Sequence, residues 1–172
     1  MKPFLFFILS LFLISCGATV SYDYDREVDF SKYKSYNYFP SISSGMNALD
    51  DKRVMRAVDS LLQERGFVKS ETPDFVINFY SKEYTSNSRN TIGIGMGSGG
   101  RNTSVGVSGG IPIGGRVVNQ QLTIDFIDAE NDALFWQAVA ENDFKENASP
   151  REKETHFYTT LQKIFKKYPP EK

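Results

Sequence analysis

Few side chains in this sequence could carry acid–base, nucleophilic or metal chemistry. There is one histidine, His156. A catalytic histidine needs a nucleophile or carboxylate within hydrogen-bond reach, and no Gly-x-Ser-x-Gly elbow is present to supply one. His156 lies one residue off an apolar helical stripe, which predicts a surface or boundary residue. Asp125 with Asp128, or Glu141 with Asp143, would be the candidates for paired carboxylates. Strand alternation puts Glu141 and Asp143 on one face, but nothing around them indicates a cleft. Asp23-x-Asp25 is a fragment of a calcium loop, which needs a longer acidic series ending in glutamate. Alternation on a strand accounts for it better. With no His-Glu-x-x-His and no cysteine cluster, no catalytic residue, cofactor or metal is expected.

The one cysteine, Cys16, is different. Met1 and Lys2 form a short positive start, and Pro3 to Ile14 follow as an apolar run broken only by Ser10. Twelve such residues make ~18 Å of helix, short of a ~30 Å hydrocarbon core, so the run reads as the h-region of a signal peptide. It ends in Leu13-Ile14-Ser15-Cys16, which resembles the lipobox of bacterial lipoproteins. The expectation is removal of residues 1–15 and acylation of Cys16, because two or three acyl chains anchor stably where one does not. A thiol consumed by lipid leaves none for disulfides or thiolate metal sites. Residues 16–172 then form one domain of ordinary size. A net charge of −1 argues against nucleic acid as a partner.

The elements read as follows. Val20, Tyr22 and Tyr24 alternate with polar residues, as in a half-buried strand. Residues 30–33 read as a bend, and 34–39 as a second strand. A loop covers 40–49. A helix then starts near Asp50 or Asp51, with Val54, Ala57, Val58, Leu61 and Leu62 on one stripe and Arg53 facing away, and ends at Gly66. Phe75, Ile77 and Phe79 share the inner face of a third strand, and a parallel crossover should join it to 34–39. Leu122, Ile124 and Phe126, then Leu134, Trp136, Ala138 and Ala140, form the inner face of a hairpin turning at 128–132. Phe135, Val139, Val76 and Tyr80 fall on the opposite face. Ser149-Pro150-Arg151-Glu152 combines a capping box with proline at the first helical position, and Phe157, Leu161, Ile164, Phe165 and Tyr168 follow as a stripe. The fold class is α+β: a single-layer, mostly antiparallel sheet of about five strands with two amphipathic helices on one face. The second sheet face is partly apolar, so the glycine-rich segment or a partner should cover it.

That segment, an insert spanning 85–119, is the unusual part of the chain. Residues 91–116 hold ten of the thirteen glycines, and no acid occurs from Tyr84 to Ile124, against Arg89, Arg101 and Arg116. Ile92, Ile94 and Met96 alternate with glycines, and Val105 and Val107 resume the alternation after a Gly-Gly-Arg-Asn turn. This suits a thin hairpin with one bare backbone face, weak unless docked. Gly95 to Gly100 formally match Gly-x-Gly-x-x-Gly. The nucleotide reading fails for want of a buried strand before, a helix after and an acid about 20 residues on. Three readings remain: a flexible insert, a hairpin that packs on another protein or on its own copy, and a cationic contact for anionic polymer or lipid headgroups. The residues concerned are Ile92, Ile94, Met96, Arg101, Val105, Val107 and Arg116.

The order of these features resembles the DUF4136 domain of bacterial envelope lipoproteins, common among Bacteroidetes. It is carried by the lipobox, Asp29-Phe30-Ser31-Lys32-Tyr33-Lys34-Ser35-Tyr36, Leu61-Leu62-Gln63-Glu64-Arg65-Gly66-Phe67, Pro73-Asp74-Phe75-Val76-Ile77, Leu122 to Asp128 and Leu134-Phe135-Trp136. The resemblance implies a periplasm-facing lipoprotein and carries over no catalytic residue. Gly17-Ala18-Thr19 lacks an acidic surface-export run and an aspartate after the cysteine, which favours the outer membrane, facing the periplasm. The resulting expectation is a non-catalytic binding or scaffolding module, held on the membrane through acylated Cys16, with an envelope protein or its own copy as partner. The alternatives are a lipid- or glycan-binding periplasmic module and a hydrolase of unknown type.

Overall fold

A computed structural model describes residues 18–87, 91–92, 111–112 and 115–170. In chain order the elements are β1 (Thr19–Tyr24), a 3-10 turn (Phe30–Lys32), β2 (Ser35–Tyr38), α1 (Ala48–Gln63), β3 (Val68–Lys69), β4 (Phe75–Asn87), β5 (Thr91–Ile92), β6 (Ile111–Pro112), β7 (Arg116–Asp128), β8 (Ala133–Lys145) and α2 (Pro150–Phe165).

Three strands of 13 residues, β4, β7 and β8, set the dimensions of the sheet. They pair antiparallel along their whole length, Phe75 opposite Asp128 and Asn87 opposite Arg116, then Val117 opposite Lys145. β1 adds antiparallel outside β8, and β2 and β3 add parallel outside β4. The order is β1-β8-β7-β4-β2-β3. The sheet therefore has six strands and a parallel side, where sequence alternation predicted about five strands in a mostly antiparallel arrangement. The added strand is β3, whose two residues are too few to show a period. The parallel pairing of β2 with β4 is as expected. β4 and β7 run on into the span read as glycine-rich insert, because residues 85–87 and 116–119 continue the ladder.

Both helices pack on one face, over a single core built from Phe75, Ile77, Phe79, Leu122, Ile124, Phe126, Trp136 and the helix stripes. Asn47 caps α1, its side chain accepting from the N–H groups of Leu49 and Asp50; the sequence placed the start two or three residues later. Ser149 and Glu152 form the expected capping box of α2. The helices run in the same direction. Lys153 in the first turn of α2 reaches Asp50 in the first turn of α1 at 2.9 Å. At the other end Arg65 donates to the carbonyls of Phe165 and Tyr168 at 2.6 and 2.7 Å, a cation satisfying the C-terminal oxygens of α2.

Two sidedness expectations are corrected. Phe135 is buried in the helix-side core and Leu134 is exposed, the reverse of simple alternation. A β-bulge explains this: Phe126 pairs Trp136, but Ile127 pairs Leu134, leaving Phe135 as the extra residue. Arg53 does not face away into solvent either. Its guanidinium donates to Asp50 at 2.6 Å with only 11% of the side chain exposed.

The loop before α1 closes against β4, Ser81 N–H donating to the Ser44 carbonyl at 2.7 Å. Gly45 sits there at φ 73°, and a Cβ would lie 2.9 Å from the Ser81 carbonyl oxygen. Gly66, at φ 85°, has open space around it. Gly66→Ala should therefore cost only the left-handed conformation, about 1 kcal/mol, and Gly45→Ala about 2 kcal/mol or more through the added clash. Urea midpoints of the two variants check the order; equal losses would contradict the close approach at Gly45.

Candidate functional site

The sequence-predicted residues fall largely beyond what the structure describes. Cys16, Ile94, Met96, Arg101, Val105 and Val107 lie outside the described residues. Ile92 lies in β5, opposite Ile111 in an antiparallel two-strand ladder, so the connection between β4 and β7 does pair with itself there. Arg116 opens β7, exposed, with Glu146 at 3.3 Å.

The helix-free face of the sheet carries the other candidates. Its rows are read off the register. Ser21, Val139, Thr123 and Tyr80 form one row, and Asp23, Gln137, Asp125 and Asn78 the next. Val76, Tyr80, Ile127 and Val139 on this face are half-buried, and Thr123 and Asp125 are buried. Burial pushes the Asp125 carboxyl above its ordinary value, against the hydrogen bonds from Gln137 and Asn78; Gln137 donates to it at 2.7 Å. Among the described residues no helix lies over this face. A shallow hollow of about 250 Å³ opens at its β1 side, lined by Asp23, Asp25, Leu134 and Gln137 among others.

The remaining carboxylates are committed to structure. Asp128 accepts from Lys32 at 2.7 Å and from the Tyr33 hydroxyl at 2.8 Å, and from the backbone N–H groups of Glu130 and Asn131. Burial alone would raise its pKa; these bonds overcome that and hold it well below the carboxylate range. Asp125 and Asp128 therefore lie on opposite faces with separate partners and are not a catalytic pair. Asp50 is likewise lowered against burial by Lys153, Asn47 and Arg53. Glu141 and Asp143 share the helix-free face, as alternation requires, and are exposed there.

His156 is buried, further inside than the surface or boundary position expected of it. Phe144 and Phe157 flank its ring at centroid distances of 4.6 and 5.4 Å. Gln120, 3% exposed, donates its amide to Glu83 at 2.6 Å, so its oxygen is the acceptor facing His156 Nε2 at 2.9 Å. The Nε2–H tautomer follows, with Nδ1 open towards the Asn142 amide at 3.5 Å. Burial drives the imidazole pKa down to about 4, with Asp143 and Asp50 opposing and Lys153 assisting. This polar chain joins β4, β7, β8 and α2. The hydroxyls bonded to this chain, Thr160 accepting from Asn142 at 3.0 Å and Ser81 donating to Glu83 at 3.4 Å, meet its amide and carboxylate members rather than the imidazole.

Between the helices lies a groove of about 400 Å³, lined by Arg53, Arg56, Ala57, Ser60, Glu154, Thr155 and Tyr158. Its arginines are already engaged, Arg53 with Asp50 and Arg56 with Glu154 at 3.5 Å. Among the described residues no three His, Cys, Asp or Glu side chains converge as metal ligands, and no helix is long and apolar enough to cross a membrane.

A mixed six-stranded sheet with two co-directional helices on one face, and no helix over the other among the described residues, defines a small α+β domain. The chain belongs to the family of the domain of unknown function DUF4136, whose model matches residues 20–170. No curated protein matches it. A PDZ domain protein from Parabacteroides distasonis is similar in structure, at 15% identity and a TM-score of 0.53 over 91% of this chain. The chain spans only 37% of that protein's length, and the likeness shows the fold alone. Two PelC dodecamers from Paraburkholderia phytofirmans are more distant, at 15% and 14% identity and TM-scores of 0.45 and 0.42, each over 84% of this chain and 94% of theirs.

A neutral buried His156 makes stability depend on pH in a defined direction. Its folded pKa lies below the unfolded value near 6.5, so the unfolded state binds the extra proton. The stabilisation is complete above pH ~6.5 and is lost as pH falls towards 4, by on the order of 3 kcal/mol. His156→Gln should flatten that pH window. As the only histidine, its ring resonances titrate unambiguously by NMR, and a midpoint near 6.5 would refute the burial argument.

Proposed function

We propose that the protein is a lipid-anchored component of a bacterial envelope, acylated at Cys16, that acts as a non-catalytic binding or scaffolding module. The helix-free face carries this reading. It presents Val76, Tyr80, Ile127 and Val139 around a buried, hydrogen-bonded Asp125, and a face of this make-up suits a protein surface better than water. Three of the ionisable groups with displaced pKa values, Asp50, Asp128 and His156, are spent on joining elements, which favours binding over catalysis at those positions. The connection between β4 and β7, rich in glycine and free of acid, adds backbone that a partner can approach closely. The outer membrane, on its periplasmic side, is the compartment this reading assigns.

Photo-crosslinking residues placed at Val139 and Val76 in cells, with Arg56 on the helix side as control, test it. Capture of one protein, or of a second copy of this chain, from 139 and 76 but not from 56 is expected. The capture should weaken when residues 91–116 are deleted. Equal labelling from all three positions, with no change on deletion, would sink the proposal.

A further inference from the structure

We propose that the distal ends of β4, β7 and β8 rest against the surface of the bilayer in which the Cys16 acyl chains are embedded. The inference rests on the reading of Cys16 as the anchored residue and adds to it a side of the domain and an orientation.

The register of β1 fixes the direction in which the N-terminal chain leaves the sheet. Thr19 pairs with Glu141, which pairs with Gln121, which pairs with Lys82. From that row β1 runs towards Tyr24 and Trp136, so the chain before Thr19 leaves in the opposite direction, towards the ends of β8 at Lys145, β7 at Arg116 and β4 at Asn87. Two residues, Gly17 and Ala18, lie between Cys16 and Thr19, so three Cα-to-Cα steps join them. Fully extended they span at most ~11 Å. Beyond the Thr19 row β8 continues to Lys145, an overhang of ~14 Å. The tether is thus no longer than the overhang. A domain on so short a tether cannot stand with this end turned away from the headgroup layer at Cys16, because the opposite end of the sheet would then be driven into the bilayer.

The chemistry of that end suits a lipid surface. Tyr84, 64% exposed, lies on β4 beyond the Thr19 row, and Leu49, 64% exposed, lies in the first turn of α1. A tyrosine with an apolar ring and a polar tip is a residue type favoured at headgroup depth. The charged residues there are mixed and partly paired, Arg116 with Glu146 and Lys145 with Glu152, so the contact needs no anionic lipid.

The test uses the full acylated chain in phosphatidylethanolamine–phosphatidylglycerol vesicles that carry a nitroxide on the headgroup. Acylation occupies the only native thiol, so Tyr84→Cys, Asp143→Cys and Glu130→Cys each offer one site for a fluorophore. Glu130 lies in the turn between β7 and β8, about 30 Å along the strands from Tyr84. Labels at 84 and 143 should be quenched several-fold more than the label at 130. Inserting about twelve Gly/Ser residues after Gly17, a tether of roughly 20 Å r.m.s. span, should erase the difference. Equal quenching at both ends in vesicle-bound, acylated protein, or a difference that survives the insertion, would overturn the orientation. Acyl mass on Cys16 and flotation with vesicles are measured first. Their absence would refute the anchoring itself, a failure distinct from the wrong end facing the lipid.

Discussion

Phe135 and Trp136 are consecutive residues of an extended strand, yet both enter the same core, and much of the structure depends on that. Alternation forbids it unless the strand gains a residue, and the bulge between the Phe126–Trp136 and Ile127–Leu134 pairs supplies one. Phe135 can then stack on Tyr33 at 4.0 Å and 8° and meet Phe75 edge-on at 5.9 Å. Trp136 lies 4.8 Å from Phe126 and 5.2 Å from Tyr168. With a regular strand one of the two rings would move to the helix-free face, and the core would lose the ring that holds the segment before β2.

The polar groups repeat this logic at the margins of the core. The Tyr33 ring is oriented by Phe135, and its hydroxyl then reaches Asp128 together with Lys32. One carboxylate thereby fixes the β7–β8 turn and the chain entering β2. Asp50 does the same between the two helix starts, and Gln120 with His156 between sheet and α2. A buried charge or imidazole is tolerated only where its partners are in place. Such groups are poor candidates for chemistry because any change of protonation would cost the packing they secure.

Much of the fold was legible in the sequence because its elements are long and periodic. The stripes of α1 and α2, the Ser149 capping box, the turn at 128–132 and the crossover between β2 and β4 follow from spacing alone. What escaped detection has physical reasons. β3 is two residues long and has no period. The bulge reverses Leu134 and Phe135 while leaving the composition of a strand unchanged. His156 is carried into the interior by Phe144 and Gln120, residues distant in sequence whose approach no local pattern encodes. Of the candidate site residues, Arg116 and Ile92 are placed within strands; Cys16, Ile94, Met96, Arg101, Val105 and Val107 lie outside the described residues.

The position of β1 gives the N-terminal chain a mechanical role that its composition does not announce. A tether of a few residues restricts a domain only if the strand it feeds cannot peel away. β1 pairs with β8 over all six residues, Thr19 to Tyr24. Val20 and Tyr24 pack on the core, Tyr24 meeting Phe30 edge-on at 5.9 Å. Asp25 N–H adds a bond to the Phe135 carbonyl at 3.0 Å. Lengthening the tether by unzipping Thr19 and Val20 would surrender ladder hydrogen bonds worth about 1 kcal/mol each and expose Val20. The gain, ~7 Å of reach, is small against that cost. On the proposed reading of Cys16, an edge strand held this firmly is a rigid mount, and the strands beside it, which outreach the mount, set how the domain meets the membrane.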